Sequence, residues 1–163
     1  MKATAVAPSN IAFIKYWGKK DEVLRLPENG SISMCLSDLT TTTTVEFNER
    51  YKEDEIIINN KKEELVESKA VKHLDRIRKL ANITTRAKVV TNNSFPTGTG
   101  LSSSASGFAA LTVAATNTAG LKLSEKELSI LARQGSGSAC RSIPDGFVEW
   151  LDGDTSKSSY AQS

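Results

Sequence analysis

Residues 96–106, Pro-Thr-Gly-Thr-Gly-Leu-Ser-Ser-Ser-Ala-Ser, constrain this chain more than any other stretch. A strand-like run, 87–91, leads into them and a helix-like run, 107–118, leads out. Gly98 and Gly100 let the backbone approach an anion closely, and Ser102, Ser103 and Ser104 fall where a helix's first N–H groups still lack partners. That chemistry at a helix N-terminus cradles phosphate. It is not a Walker A loop, because no Gly-Lys-Ser/Thr follows the glycines; a serine-capped helix after a glycine turn is the plain alternative. A second segment suited to an anion, running from Arg133 through Ser136, Gly137 and Ser138 to Arg141, favours the phosphate reading.

The composition excludes several classes of partner. A net charge of +2 argues for neither nucleic acid nor a membrane surface, and an aromatic content of 6% gives no stacking platform for single strands. No apolar run approaches the roughly 20 residues of a membrane span. Ser9, Asn10 and Lys15 interrupt the N-terminal apolar segment, so it does not read as a signal peptide, and a cytoplasmic location is expected. At 163 residues the chain is most simply one domain. Cys35 and Cys140 lack zinc spacing and read as free thiols. The single histidine, His73, lies among charges and reads as solvated surface, which disfavours a Ser-His-Asp hydrolase.

The pattern mixes strands and helices. Strands are expected at 2–7 and 11–16, separated by a Pro8-Ser9-Asn10 turn, then at 32–36, 40–47, 55–58, 87–92 and 147–150. Val66, Ala70, Leu74, Ile77 and Ala81 recur at helical spacing and predict a helix over 64–80. The uncharged run after the serines predicts a buried helix, and Ser124 with Glu127 predicts a capping box opening a helix to about Arg133. Strands crowd the first third without regular alternation, which favours an α+β fold, a mixed sheet layered with helices. The polar tail, 152–163, is consistent with a frayed end or with the approach to a second half.

Three motifs carry a resemblance. Pro96, Gly100, Leu101, Ser103, Ser104 and Ala105 resemble the phosphate-binding motif of the GHMP kinase superfamily of small-molecule kinases. Residues 7–19, Ala-Pro-Ser-Asn-Ile-Ala-Phe-Ile-Lys-Tyr-Trp-Gly-Lys, and 133–142, Arg-Gln-Gly-Ser-Gly-Ser-Ala-Cys-Arg-Ser, are similar to the diphosphomevalonate decarboxylase family. The resemblance implies the ribosomal-protein-like N-terminal domain of that superfamily, so that 1–163 would be one nucleotide- and substrate-binding domain. The family's C-terminal domain would lie outside the chain, and with it the essential aspartate, which no residue here matches.

The resemblance also implies an activity: ATP-dependent decarboxylation of diphosphomevalonate to isopentenyl diphosphate, a lyase step of isoprenoid biosynthesis, with ATP and Mg²⁺ as cofactors and a homodimer as a reasonable assembly. Lys19 and Tyr16 would hold the diphosphate, with Ser136, Gly137 and Ser138 supplying hydroxyls and N–H groups. Arg141 would bind the carboxylate through its planar fork, Asn10 would orient it, and Lys15 would stabilise charge near the transferred phosphoryl. Pro96, Gly98, Gly100, Leu101, Ser102, Ser103 and Ser104 would form the ATP site, Ser103 orienting the γ-phosphate and its Mg²⁺. Gly98, Thr99 and Ser102 depart from the alanines usual in relatives, and Asp145 places an acid near Arg141. A kinase acting on mevalonate or phosphomevalonate without decarboxylation, or a non-catalytic anion-binding module, are the alternatives.

Overall fold

The structure, a computed structural model, describes residues 1–66, 68–96 and 103–163. Their order is β1 (Lys2–Ile14), β2 (Lys19–Asp21), β3 (Leu26–Pro27), β4 (Ser31–Asn48), β5 (Glu55–Ile58), β6 (Lys61–Lys62), α1 (Lys69–Ala81), β7 (Arg86–Asn93), α2 (Ser103–Thr118), α3 (Glu125–Gly135), a 3₁₀ helix (Gly137–Ser142), β8 (Phe147–Trp150) and β9 (Ala161–Gln162). All strands except the β2–β3 hairpin join one sheet, in which β5 runs parallel to β7 and the other pairs are antiparallel. The α+β mixed sheet layered with helices is therefore observed.

Strand β4 is the spine of the sheet. Along one edge it pairs with β1 from Lys2↔Glu46 to Ile14↔Ile32; along the other it takes β7 at one end and β8 at the other. The expected turn at Pro8-Ser9-Asn10 does not occur. Instead the register shifts between Pro8 and Ser9, where residues 37–39 of β4 bulge out, and both strands run on. Proline is tolerated there because a bulge on an edge strand needs no ladder N–H from it. The consequence is functional: Asn10 is held on a strand and buried rather than carried on a loop.

Helix α1 starts later than its periodicity suggests. Ser68 caps it, accepting a hydrogen bond from Val71 N, and Val66 stays 86% exposed outside it. Its buried face includes His73, so the expected solvated histidine is wrong: the ring is 0% exposed, bonded through Nε2 to Thr112 Oγ1 at 2.8 Å and edge-on to Phe108. The capping box of α3 forms as expected, with Ser124 and Glu127 each bonding the other's backbone N–H. The tail is not frayed either, since β9 pairs with β8.

Helix α2 lies across β1 and β4. Ala105, Ala109, Ala110, Ala114 and Ala115 keep it slim enough to seat deeply. Its buried threonines bond back to the preceding turn, Thr112 to Phe108 O at 2.6 Å and Thr116 to Thr112 O at 2.8 Å, so neither hydroxyl is stranded in the core. Leu111 completes a cluster with Val45, Phe47, Ile56, Leu74 and Ile77. This packing aims the N-terminus of α2 at the middle of β1 and β4.

Candidate active site

Arg141, at the end of the 3₁₀ helix, is the centre of the site. Its side chain is 4% exposed, yet among the described residues it pairs with no carboxylate. Asn10 Oδ1 accepts from its Nε at 3.3 Å and from its Nη2 at 3.2 Å, and Nη1 donates to Ser31 Oγ at 2.7 Å. Asn10 Nδ2 in turn donates to Ser142 Oγ at 2.8 Å and Ser138 O at 3.2 Å, which fixes which end of the amide faces the guanidinium. Tyr16 and Trp150, edge to face at 4.6 Å, supply aromatic surfaces 5.6 and 5.7 Å from the guanidinium carbon. Burial pulls the Arg141 pKa down from its usual value. A cation held by neutral partners alone, with two guanidinium hydrogens still to place, is poised for an anion.

Gly137 is demanded by the same packing: a Cβ there would fall 2.9 Å from Tyr16 Oη and 3.4 Å from a Trp150 ring carbon. Ser136 and Ser138 flank it, both half-buried, and neither hydroxyl has a partner among the described residues. Sequence position thus becomes geometry: Asn10, Tyr16, Gly137, Ser138 and Arg141 form one wall, with Ser136 beside it.

The lysines are placed differently. Lys19 opens the β2–β3 hairpin and its Nζ is paired with Glu22 at 2.9 Å, an ion pair on the surface that an incoming anion has to displace. Lys15 is exposed just beyond β1. Asp145 is exposed and does not pair with Arg141; its field acts on Cys35, whose thiol is raised first by burial and then by that carboxylate. Burial pushes the Cys140 thiol up to about 12, and both cysteines are free.

The second part of the site is a cavity of about 280 Å³ between the sheet and the start of α2. Ile56, Ile58, Val89 and Phe108 form apolar sides, and Thr41, Asn93, Ser103 and Ser104 bring polar groups to its rim. Ser103 begins the helix, where backbone N–H groups are unpaired within it. Thr41, which lines the cavity, pairs with Ala7, three residues from Asn10 on the same strand β1. Pro96 is exposed at the edge of the described chain. Gly98, Gly100, Leu101 and Ser102 lie outside the described residues.

This geometry meets its relatives in sequence and structure. The model of the diphosphomevalonate decarboxylase-like N-terminal domain matches residues 7–161. The chain belongs to that family. It is 45% identical to the diphosphomevalonate decarboxylase of Candida albicans over 91% of its length and 41% identical to that of Homo sapiens over 93%. It spans 44% and 41% of those two proteins, less than half of each. A solved mevalonate diphosphate decarboxylase from Enterococcus faecalis superposes with a TM-score of 0.94 at 47% identity, covering 100% of this chain and 51% of that one. A complex of MDDEF with MVAPP, AMPPCP and magnesium matches equally well, at 0.94 and 47%, over 50% of its chain.

Three contributors to the candidate site were not singled out in the sequence. Ser31, which holds Nη1 of Arg141, was legible as the start of the alternating Ser31, Ser33, Cys35 face of β4. Trp150 was recognisable as a strand end and as part of a family-like ending, but not as a neighbour of Arg141. Asn29 gave no signal, though its side chain accepts from Trp17 N at 3.0 Å and donates to Lys15 O at 3.1 Å, bracing the turn that carries Tyr16.

Proposed function

We propose that this chain supplies the substrate- and nucleotide-holding half of an ATP-dependent diphosphomevalonate decarboxylase. The observation that carries the reading is the buried Arg141 guanidinium, built into a neutral polar and aromatic cage in which no described carboxylate pairs with it. A substrate carboxylate accepts the remaining guanidinium hydrogens. Ser136, Ser138, Tyr16 and Lys19, the last released from Glu22, take the diphosphate. Asn10 holds the fork in plane without itself titrating. The apolar cavity beside α2 suits a nucleotide base, and the start of α2 suits its phosphates.

Magnesium fits only in part. Among the described residues no three His, Cys, Asp or Glu side chains gather, so an ion would arrive on nucleotide phosphates and meet the Ser103 hydroxyl. When bound it supplies charge neutralisation between phosphates. The reaction transfers the γ-phosphoryl of ATP to the substrate's tertiary 3-hydroxyl. The new phosphate then leaves with its C–O electron pair while the carboxylate C–C bond supplies electrons for the alkene, releasing carbon dioxide. Lys15 is assigned to the charge of the transferring phosphoryl, and the base for the hydroxyl proton to the portion of the relatives that this chain does not span.

A second unit is part of the proposal. Ile11, Met34 and Phe147 stand in one row across β1, β4 and β8 on the face opposite the helices, next to the exposed pair Ile14 and Ile32, and Phe13 stacks on Phe147 at 6.2 Å. This exposed apolar face is where the remaining half would dock, with homodimerisation as the competing use. A cytoplasmic location goes with this reading; no described helix is long and apolar enough to cross a membrane. The reading is tested by counting ADP and carbon dioxide separately with Mg-ATP and mevalonate, its monophosphate or its diphosphate. Any turnover involving this chain releases both products in equal amounts and only from the diphosphate. ADP without carbon dioxide overturns it in favour of a simple kinase.

A further inference from the structure

Arg133, like Arg78, is a buried cation outside the Arg141 cage, and nothing in the reaction above uses it. It sits in the last turns of α3, 0% exposed, and no described carboxylate pairs with it. Its hydrogens go to neutral acceptors in two remote segments. Nε donates to Leu24 O at 2.9 Å, in the turn of the β2–β3 hairpin; Nη2 donates to Ser156 Oγ at 3.0 Å; Nη1 donates to Ser156 O at 3.3 Å and to Ser159 O. One planar group therefore pins the hairpin, helix α3, which ends at Gly135, and the 155–159 turn to each other.

Two further links converge on the same hairpin. Arg25 Nε donates to Gln134 O at 3.2 Å, and Lys20 pairs with Asp154 at 2.8 Å. The Lys20–Asp154 pair is exposed, the Arg25 and Arg133 bonds are part-buried, and of the three cations only Arg133 is itself fully buried. The hairpin carries Lys19, and its strands are only three and two residues long, too short to hold a fixed direction unaided. On the other side, Ser159 passes the constraint onward: its hydroxyl accepts from Trp150 Nε1 at 3.0 Å, and Trp150 is a wall of the Arg141 cage.

We infer that Arg133 is a positioning residue for the phosphorylated end of the ligand, holding the Lys19 hairpin at a fixed distance from the Ser136–Ser138 segment. The inference rests on the diphosphate reading above. An ammonium at this place cannot replace the guanidinium, because acceptors lying in two directions need a planar fork. Neutral acceptors suit a brace. A carboxylate partner would fix the arginine to one segment, while carbonyls from two segments let it tie both together.

The experiment measures binding of mevalonate diphosphate and of Mg-AMPPCP to the chain, by isothermal titration, for wild type, Arg133→Lys, Lys19→Ala and the double variant. A brace acting through Lys19 predicts at least tenfold weaker mevalonate diphosphate binding for Arg133→Lys, with Mg-AMPPCP changed less than twofold. In the Lys19→Ala background the same substitution then costs threefold or less. Equal losses for both ligands, or full additivity in the double variant, show a merely structural arginine and overturn the inference. If Arg133→Lys does not fold, Ser156→Ala, which removes one bond at the half-buried end, decides: a two- to threefold loss confined to mevalonate diphosphate supports the brace, and no loss refutes it. A wild-type chain that binds Mg-AMPPCP but not mevalonate diphosphate refutes the diphosphate reading itself, and the brace with it.

Discussion

Replacing Asn10 by Ala removes the acceptor that two guanidinium N–H groups of Arg141 share. The bonds at 3.3 and 3.2 Å are long for their type, which places each near the lower end of the range for hydrogen bonds to charged groups, about 1.5 kcal/mol. The 2.8 Å bond to Ser142 Oγ adds about 1 kcal/mol. Water entering the vacated space restores part of the sum, leaving an expected loss of about 3 kcal/mol, a large share of a domain's typical stability. Urea denaturation followed by far-UV circular dichroism measures it, as a lower midpoint at unchanged slope. Asn10→Asp separates stability from binding. Its carboxylate faces the guanidinium directly, so it should be more stable than the alanine variant while binding mevalonate diphosphate more weakly than wild type, because the cage then contains its own anion. A loss below about 1 kcal/mol for Asn10→Ala would show that the guanidinium has other partners and would refute the argument for a cation caged by neutral groups.

His73 provides a pH signature. Burial, reinforced by Arg76 and Arg25, lowers its pKa to about 3, against an ordinary value of 6.5. Its contribution to stability is therefore fully present above about pH 6.5 and is lost as the pH falls towards 3, by as much as about 5 kcal/mol at the limit. His73→Gln should flatten the acid limb of a stability–pH curve, and an unchanged limb would contradict the burial. Gly135→Ala places a Cβ against the Phe108 ring and 3.0 Å from His73 Nδ1; thermal unfolding should report a cost of about 1–3 kcal/mol. Gly137→Ala pushes Tyr16 off the Arg141 cage and should weaken mevalonate diphosphate binding about tenfold, or about 1.4 kcal/mol, with Mg-AMPPCP binding kept.

Much of the fold is legible in the sequence, for reasons that vary by residue. The capping box of α3 and the strand at 147–150 depend on local chemistry alone, and local chemistry is what a sequence displays. Asn59 and Asn60 likewise make the tight turn after β5, both with positive φ. The Pro8-Ser9-Asn10 stretch misleads because turn composition and bulge composition coincide; only the partner strand, with its own extra residues, decides between them. His73 misleads through its neighbour Lys72, although its spacing from Ala70 and Ile77 already puts it on the apolar face of α1. Ser31 and Trp150 reach Arg141 from strands distant in sequence, so their roles depend on sheet register. Motifs mark the residues of the site; their convergence comes from the pairing of β1 and β8 with β4.

Arg141 acts as an anion receptor within this chain if the cage of neutral groups around it has been read correctly. Titration of mevalonate diphosphate into the wild-type protein and Arg141→Met tests it most directly. Wild type should bind measurably and the variant about 100-fold more weakly, the equivalent of about 3 kcal/mol for two charge-assisted hydrogen bonds, with Mg-AMPPCP binding intact. Equal affinity in the two proteins, or no binding by wild type, contradicts it.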